Sequence, residues 1–227
     1  MENGNKTMLA VTTLVVGLLV GGGLGYATSN SMQSDTESNS AMTVKADTNT
    51  KSAGLRVLLN NLEAEHVDLA SAATRAGFDG DASFTAAAEA LGKNTDSLSA
   101  AIGSVYGDEA GAQFKEIWAS HIGFFVDYTV AAKSGDTAGM DKAVQNLNGY
   151  VEAISSFLSS ANPNLPKDAV AQLVTEHVGL LKEAVDKHGA GDFAGSYDAQ
   201  SRARVQITTK IADTLAGAIV KQSPDKF

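Results

Sequence analysis

Phe114-Lys115-Glu116-Ile117-Trp118-Ala119-Ser120-His121-Ile122-Gly123-Phe124-Phe125, followed later by Gly135-Asp136, sets a pattern that recurs on both sides of it in the 227-residue chain. Aligned on the histidine, the three copies centre on His66, His121 and His177, which lie 55 and 56 residues apart. An apolar residue stands four positions before each histidine (Leu62, Ile117, Leu173) and another seven before (Leu59, Phe114, Val170). Others follow at one, three and four positions after it: Val67, Leu69 and Ala70; Ile122, Phe124 and Phe125; Val178, Leu180 and Leu181. Each copy then reaches Gly-Asp, at Gly80-Asp81, Gly135-Asp136 and Gly191-Asp192. Spacings of three, four and seven trace one face of a helix, so each histidine belongs to a buried stripe. Gly supplies the left-handed residue that ends one helix, and Asp caps the next by accepting its free amides. Each copy is therefore predicted to be a helical hairpin.

Working outward, the first helices of the hairpins are expected over about 53–77, 108–133 and 167–188, and the second ones over about 82–105, 137–160 and 193–221. Gly107-Asp108 separates the first two units, and Pro163 and Pro166 separate the last two, since proline breaks a helix and favours its first turn. The fold class is all-α: three tandem helical hairpins, six antiparallel helices, in units of about 52–107, 108–162 and 163–227. The periodicity serves a closed bundle and a short stack of hairpins equally well. Aromatic residues gather on the third helix (Phe114, Trp118, Phe124, Phe125, Tyr128), which makes it the expected centre. Asp81, Asp108, Asp136, Asp168 and Asp192 stand at helix starts, where the dipole favours negative charge.

Before this domain, residues 1–7 are expected to be a short cytoplasmic N-terminus, and residues 8–27 carry no charge, about 30 Å of helix, enough to span a bilayer. A retained transmembrane anchor is expected. A signal segment cleaved after Ala27 is the alternative, since Gly25-Tyr26-Ala27 offers small residues at the right spacing. Gly17, Gly21 and Gly25 share one face of that helix, the pattern through which two membrane helices pair, so a homodimer is one expected partnership. Lys6 precedes the segment and the next basic residue is Lys45, which places the bulk of the chain outside the cytoplasm. Residues 28–51 are rich in Ser, Thr and Asn without apolar periodicity and read as a flexible linker.

Composition narrows the function. Seventeen Lys and Arg against 26 Asp and Glu give a net charge of −9, which argues against a nucleic-acid partner. With no Cys there is no disulfide, zinc finger, thiol nucleophile or iron–sulfur cluster. Neither a phosphate-binding loop nor a dinucleotide fingerprint occurs. Gly103-Ser104-Val105-Tyr106-Gly107 mimics a nucleophile elbow, but it ends a helix and lacks the strand that motif requires. Of the positions three before a histidine, only Glu63 is a glutamate, so the paired Glu-x-x-His motifs of di-iron bundles are absent. No enzymatic activity is expected.

The three histidines remain. The odd-numbered helices run parallel, and each carries its histidine fourteen residues before the turn glycine, so the imidazoles share one level. If those helices surround a common axis, His66, His121 and His177 converge as ligands for zinc or copper. Alternatively they are core residues bonded to carbonyls or carboxylates, or a pH-sensitive packing layer. Glu65 and Glu176 are expected at the edge of the stripe, and His188 exposed at a helix C-terminus.

The runs Ile102-Gly103-Ser104-Val105-Tyr106-Gly107-Asp108-Glu109-Ala110-Gly111, Phe114 to Tyr128, and Ala218-Ile219-Val220-Lys221-Gln222-Ser223-Pro224-Asp225-Lys226-Phe227 resemble an uncharacterised helical module of bacterial exported proteins. In some of them it accompanies a domain similar to the N-terminal domain of copper amine oxidases. The resemblance spans residues 52–227 and implies an exported helical domain; the copper association belongs to the accompanying domain. No Asn-Tyr-Asp or Asn-Tyr-Glu is present from which a quinone cofactor is made. Where the family's last helix often carries a His-Met pair, this chain reads Arg204-Val205-Gln206-Ile207-Thr208.

The expected function is thus a membrane-anchored, extracytoplasmic, non-catalytic module that binds an envelope or extracellular partner. A three-histidine metal protein is the first alternative. A small-molecule pocket lined by Trp118, Phe124, Phe125 and Tyr128 is the second.

Overall fold

A computed structural model describes residues 50–227. The expected cytoplasmic N-terminus, membrane helix with its Gly17, Gly21 and Gly25 face, cleavage point after Ala27 and nearly all of the linker lie outside the described residues. Among the described residues no helix is long and apolar enough to cross a membrane, and none of them forms a strand.

The helices are α1 (Lys51–Asp79), α2 (Phe84–Tyr106), α3 (Asp108–Ser134), α4 (Thr137–Ala161), α5 (Lys167–Gly189), α6 (Phe193–Gln206) and α7 (Asp213–Gln222). A π-helical segment, Ile207–Ala212, joins α6 to α7, so the sixth expected helix is one rod whose winding loosens near its middle. Such a segment amounts to one extra residue within the helix. A short 3₁₀ turn, Pro224–Lys226, closes the chain.

The hairpin turns follow the expected chemistry with one departure. Gly80, Gly135 and Gly191 have φ of +74°, +70° and +77°, the left-handed region that a side chain disfavours. Asp136 and Asp192 then cap α4 and α6, their Oδ1 atoms accepting from the amides of Gly139 at 3.0 Å and Gly195 at 2.9 Å. Asp81 instead accepts from the Ser83 amide at 2.7 Å, an Asx turn that delays the start of α2 to Phe84, two residues later than expected. Asp136→Ala is therefore expected to cost about 1 kcal/mol in urea unfolding, and Asp81→Ala distinctly less. Equal losses would contradict this division of roles.

The hairpins close into a bundle. Helices α1, α3 and α5 each touch the other two, while α2 packs on α1 and α3, α4 on α3 and α5, and the α6–π–α7 rod on α5 and α1. That ring excludes the open stack. The centre is α1, not α3: it meets α2, α3, α5 and every part of the last rod. Its inward positions include the small residues Ala64, Ser71, Ala73 and Ala76, which let neighbours approach on several sides. A polar seam fastens it to the last two helices. Asp213 accepts from Arg56 Nε at 2.7 Å and Asn60 Nδ2 at 2.8 Å, Arg204 pairs with Asp68, and Arg75 donates to Gln200 at 2.6 Å.

Two main apolar clusters fill the interior. One contains Leu55, Leu59, Phe114, Trp118, Ile154, Val170, Val174 and Ile219. The other contains Val67, Phe125, Leu147, Leu181, Ala203 and Ile207. On α1, α3 and α5 the histidines fall between the residues of the first cluster and those of the second, so a polar layer interrupts the core.

Candidate functional site: a buried histidine layer

Each histidine is placed by its own hairpin. Leu59, Phe114 and Val170, seven residues earlier, anchor the three helices in the first cluster and bring the imidazoles to one height. His66, His121 and His177 are only 1%, 1% and 4% exposed. The His66 ring centre lies 5.4 Å from that of His121 and 6.0 Å from that of His177. The structure thus brings together all three histidines singled out from the sequence.

Aromatic rings and two polar side chains complete the layer. Trp118 meets His66 and His121 edge-on, at 4.9 Å from each, and Phe114 stacks behind the indole at 5.2 Å. Tyr150 of α4 stacks on His121 at 4.4 Å and 21°. Glu63, one turn before His66 on α1, is 2% exposed. Gln206, at the threshold of the π segment, donates from Nε2 to the Leu173 carbonyl at 2.9 Å and stands beside His177.

Hydrogen bonding does not account for this layer. Both ring nitrogens of His66, Nδ1 of His121, Nε1 of Trp118 and Oε2 of Glu63 are buried without a partner in the protein, while His177 and Oε1 of Gln206 stand close enough to pair with each other. A buried polar atom left unpaired costs about 1–3 kcal/mol, and native interiors hold few of them.

Burial also sets the charge states. It lowers the pKa of His66 well below the usual imidazole value, with the neighbouring His121 and His177 adding to the effect. His121 falls to about 3, chiefly through burial and then through His177, with the Trp118 backbone opposing. His177 falls to about 4 through burial, partly offset by Gln206. The rings are therefore neutral at pH 7, the form in which imidazole binds a metal. Desolvation raises Glu63 to about 8, and the charge of Glu63 adds to the burial that pushes Tyr150 up.

Among the described residues no three His, Asp or Glu side chains meet as a ready ligand shell. The two separations from His66, 5.4 Å and 6.0 Å, are close to what a shared ion demands. With metal–nitrogen bonds of about 2.0–2.1 Å, rings on a tetrahedral ion stand with centres about 5.2 Å apart, somewhat more at wider angles. Imidazole χ2 is a broad torsion, so turning the rings demands little of the backbone.

Other expected positions sort as follows. Glu65 accepts from Asn94 at 2.9 Å, and Glu176 pairs with Lys210 at 2.8 Å, both at the rim of the bundle. His188 is not exposed: its side chain is 9% accessible, set edge-on to Phe78 and Phe193, with Nε2 2.8 Å from Asp79 Oδ1. The tip of α1 and Phe193 cover it, which a helix end read alone does not reveal.

A cavity of about 390 Å³ opens among α1, α2 and α3, but of the expected aromatic lining only Phe125 takes part. Trp118 is committed to the core and Tyr128 donates to Asp186 Oδ1 at 2.6 Å. Reading the sequence alone missed Glu63, Tyr150 and Gln206. The signal for Glu63 was its position three before His66, the spacing of a Glu-x-x-His pair. No family model, curated protein or solved structure matches the chain.

Proposed function

We propose that the helical domain binds a single zinc or copper ion through His66, His121 and His177, with Glu63 as the carboxylate beside them. The observation that carries this reading is the set of buried imidazole nitrogens without a protein partner, both of His66 and Nδ1 of His121, held at one level with the His177 ring. A metal ion satisfies several of them at once. Three neutral imidazoles are a recognised donor set for zinc and for copper, and the carboxylate offsets part of the charge that the ion brings into the interior. This reading takes up the first alternative drawn from the sequence in place of the expected envelope-interaction module. The uncharged run 8–27 supports a membrane-anchored domain on the extracytoplasmic side, where it would hold or scavenge the metal.

Calorimetry on the untagged full-length chain, first stripped with a chelator, tests this directly. One zinc or copper per chain is the expected stoichiometry, and free zinc at about a hundred times Kd should add about 2.7 kcal/mol of stability. Trp118, the chain's one tryptophan, touches two of the ligand rings, so copper should quench its emission in step with binding. Loss of binding in His121→Ala and in His177→Ala, each folded by circular dichroism, supports the assignment. A native chain that takes up no ion while melting cooperatively would end it.

A further inference from the structure

The cavity of about 390 Å³ runs from the α1–α2 turn to the histidine layer, and its composition changes along the way. At the outer end stand Gly80, Asp81, Thr85 and Val130, all exposed, and Val130 is a large apolar side chain left 62% accessible there. The walls include Ala73, Phe84, Leu91, Phe125 and Leu181, and the inner end is formed by His66 and His121. Thr74 and Thr129, the other hydroxyls of the walls, are turned to carbonyls of their own helices at 2.9 Å and 2.8 Å. Polar recognition is thus confined to the two imidazoles, whose unpartnered nitrogens include both of His66 and Nδ1 of His121. No Lys or Arg lines the cavity, and its one charged residue, Asp81, is acidic.

We infer that this cavity binds a small neutral amphiphile, an apolar body carrying one hydroxyl, with the hydroxyl at His66 and His121 and the body along Ala73, Phe84, Leu91 and Phe125. A neutral imidazole offers one donor and one acceptor, and a hydroxyl answers both. At the imidazole end an anionic head meets no cation, and at the mouth Lys133, whose Nζ donates to the Gly77 carbonyl at 3.5 Å, stands beside the acidic Asp81, so a carboxylate buried at the histidines is disfavoured. The volume lies within the range of small-molecule sites, and two phenylalanine rings favour an aromatic body. This shares histidines with the proposed metal site but does not require the ion. It is tested with chelator present, so that it stands or falls separately.

Para-butylphenol, butylbenzene and para-butylbenzoate share a body and differ in the head. With the metal-free full-length chain, calorimetry should show one para-butylphenol bound, about tenfold tighter than butylbenzene, and no saturable binding of the benzoate. His66→Leu should remove the phenol's advantage, so that this variant binds para-butylphenol no tighter than it binds butylbenzene. Val130→Trp, a change at the exposed entrance that leaves the core untouched, should weaken both. Equal affinity for phenol and butylbenzene in the native chain would overturn the hydroxyl assignment. Tighter binding of the benzoate would overturn the choice of a neutral head, and saturable binding of none would remove the cavity as a site.

Discussion

Glu63→Met should make the metal-free protein more stable and the metal-binding protein worse. The carboxyl is buried without a cation, and its pKa rises from 4.5 to about 8, so folding is charged for holding on to a proton that the unfolded chain releases. At about 1.4 kcal/mol per tenfold in proton affinity, with some packing lost to imperfect shape, the expected gain is about 3 kcal/mol at pH 8. For a domain of this size that is roughly 6–12 °C in Tm. At pH 5 the unfolded carboxyl is itself partly protonated, the penalty falls to about 1 kcal/mol, and the packing loss cancels the gain. In the same variant, zinc affinity should fall at least about tenfold to a hundredfold, as when a metal loses a supporting carboxylate. Thermal melts at the two pH values, with and without zinc, check both halves. A variant less stable than the parent at pH 8 would show that Glu63 is held by interactions the unpaired Oε2 does not reveal. Unchanged zinc affinity would take the carboxylate out of the site.

Acid should unfold the metal-free protein well above the range where carboxylates usually fail. The folded pKa values of His121 and His177 are about 3 and about 4, and that of His66 is also well below 6.5. Below pH 6.5 the unfolded chain takes up three protons that the folded one refuses, so stability is lost as pH falls from 6.5 toward 4. Glu63 works in the opposite direction, since its folded pKa is raised and acidification from pH 8 to 4.5 returns stability. Between pH 8 and 6.5 the two effects nearly cancel. Between pH 6.5 and 4.5 the three rings outweigh the one carboxyl by about 4 kcal/mol, or roughly 10–15 °C in Tm. Thermal melts across that interval measure it, and replacing all three histidines with Gln should flatten the fall. An unmodified protein whose Tm is level from pH 6.5 to 4.5 would mean that the rings reach water or a partner.

The hairpins and the histidine layer were legible because local chemistry fixes them. The apolar stripe around His66, His121 and His177 has to be buried somewhere, and Gly80, Gly135 and Gly191 have few alternatives to ending a helix. Glu63 was not legible in the same way. It lies about 60° around the helix from His66, a position that is rim on a helix with one buried side and interior on a helix surrounded by others. Only the closure of the ring, with α1 touching the last rod as well as α2, α3 and α5, decides between these. The same closure explains why α1 and not the aromatic α3 became the centre: small side chains, more than large ones, permit many neighbours. The π segment left no local mark, since Ile207-Thr208-Thr209-Lys210-Ile211-Ala212 is unremarkable as helix. Within it, Ile207 and Ala212 are both fully buried although five positions separate them, a spacing that α-helical winding does not bring onto one face.

The polar layer also acts as a ruler. An all-apolar stripe repeating at three, four and seven residues looks the same after a slip of two turns, so three such hairpins have several near-equivalent ways to nest. Histidines at one height remove that degeneracy. Slide any hairpin along the axis and its imidazole enters an apolar storey, while a leucine or valine takes its place among the remaining rings. A single polar position sets the stagger of coiled coils by the same logic, at a cost in stability. In this chain the cost falls on the groups of the proposed site, so one set of side chains would both select the alignment of the bundle and define what the bundle holds.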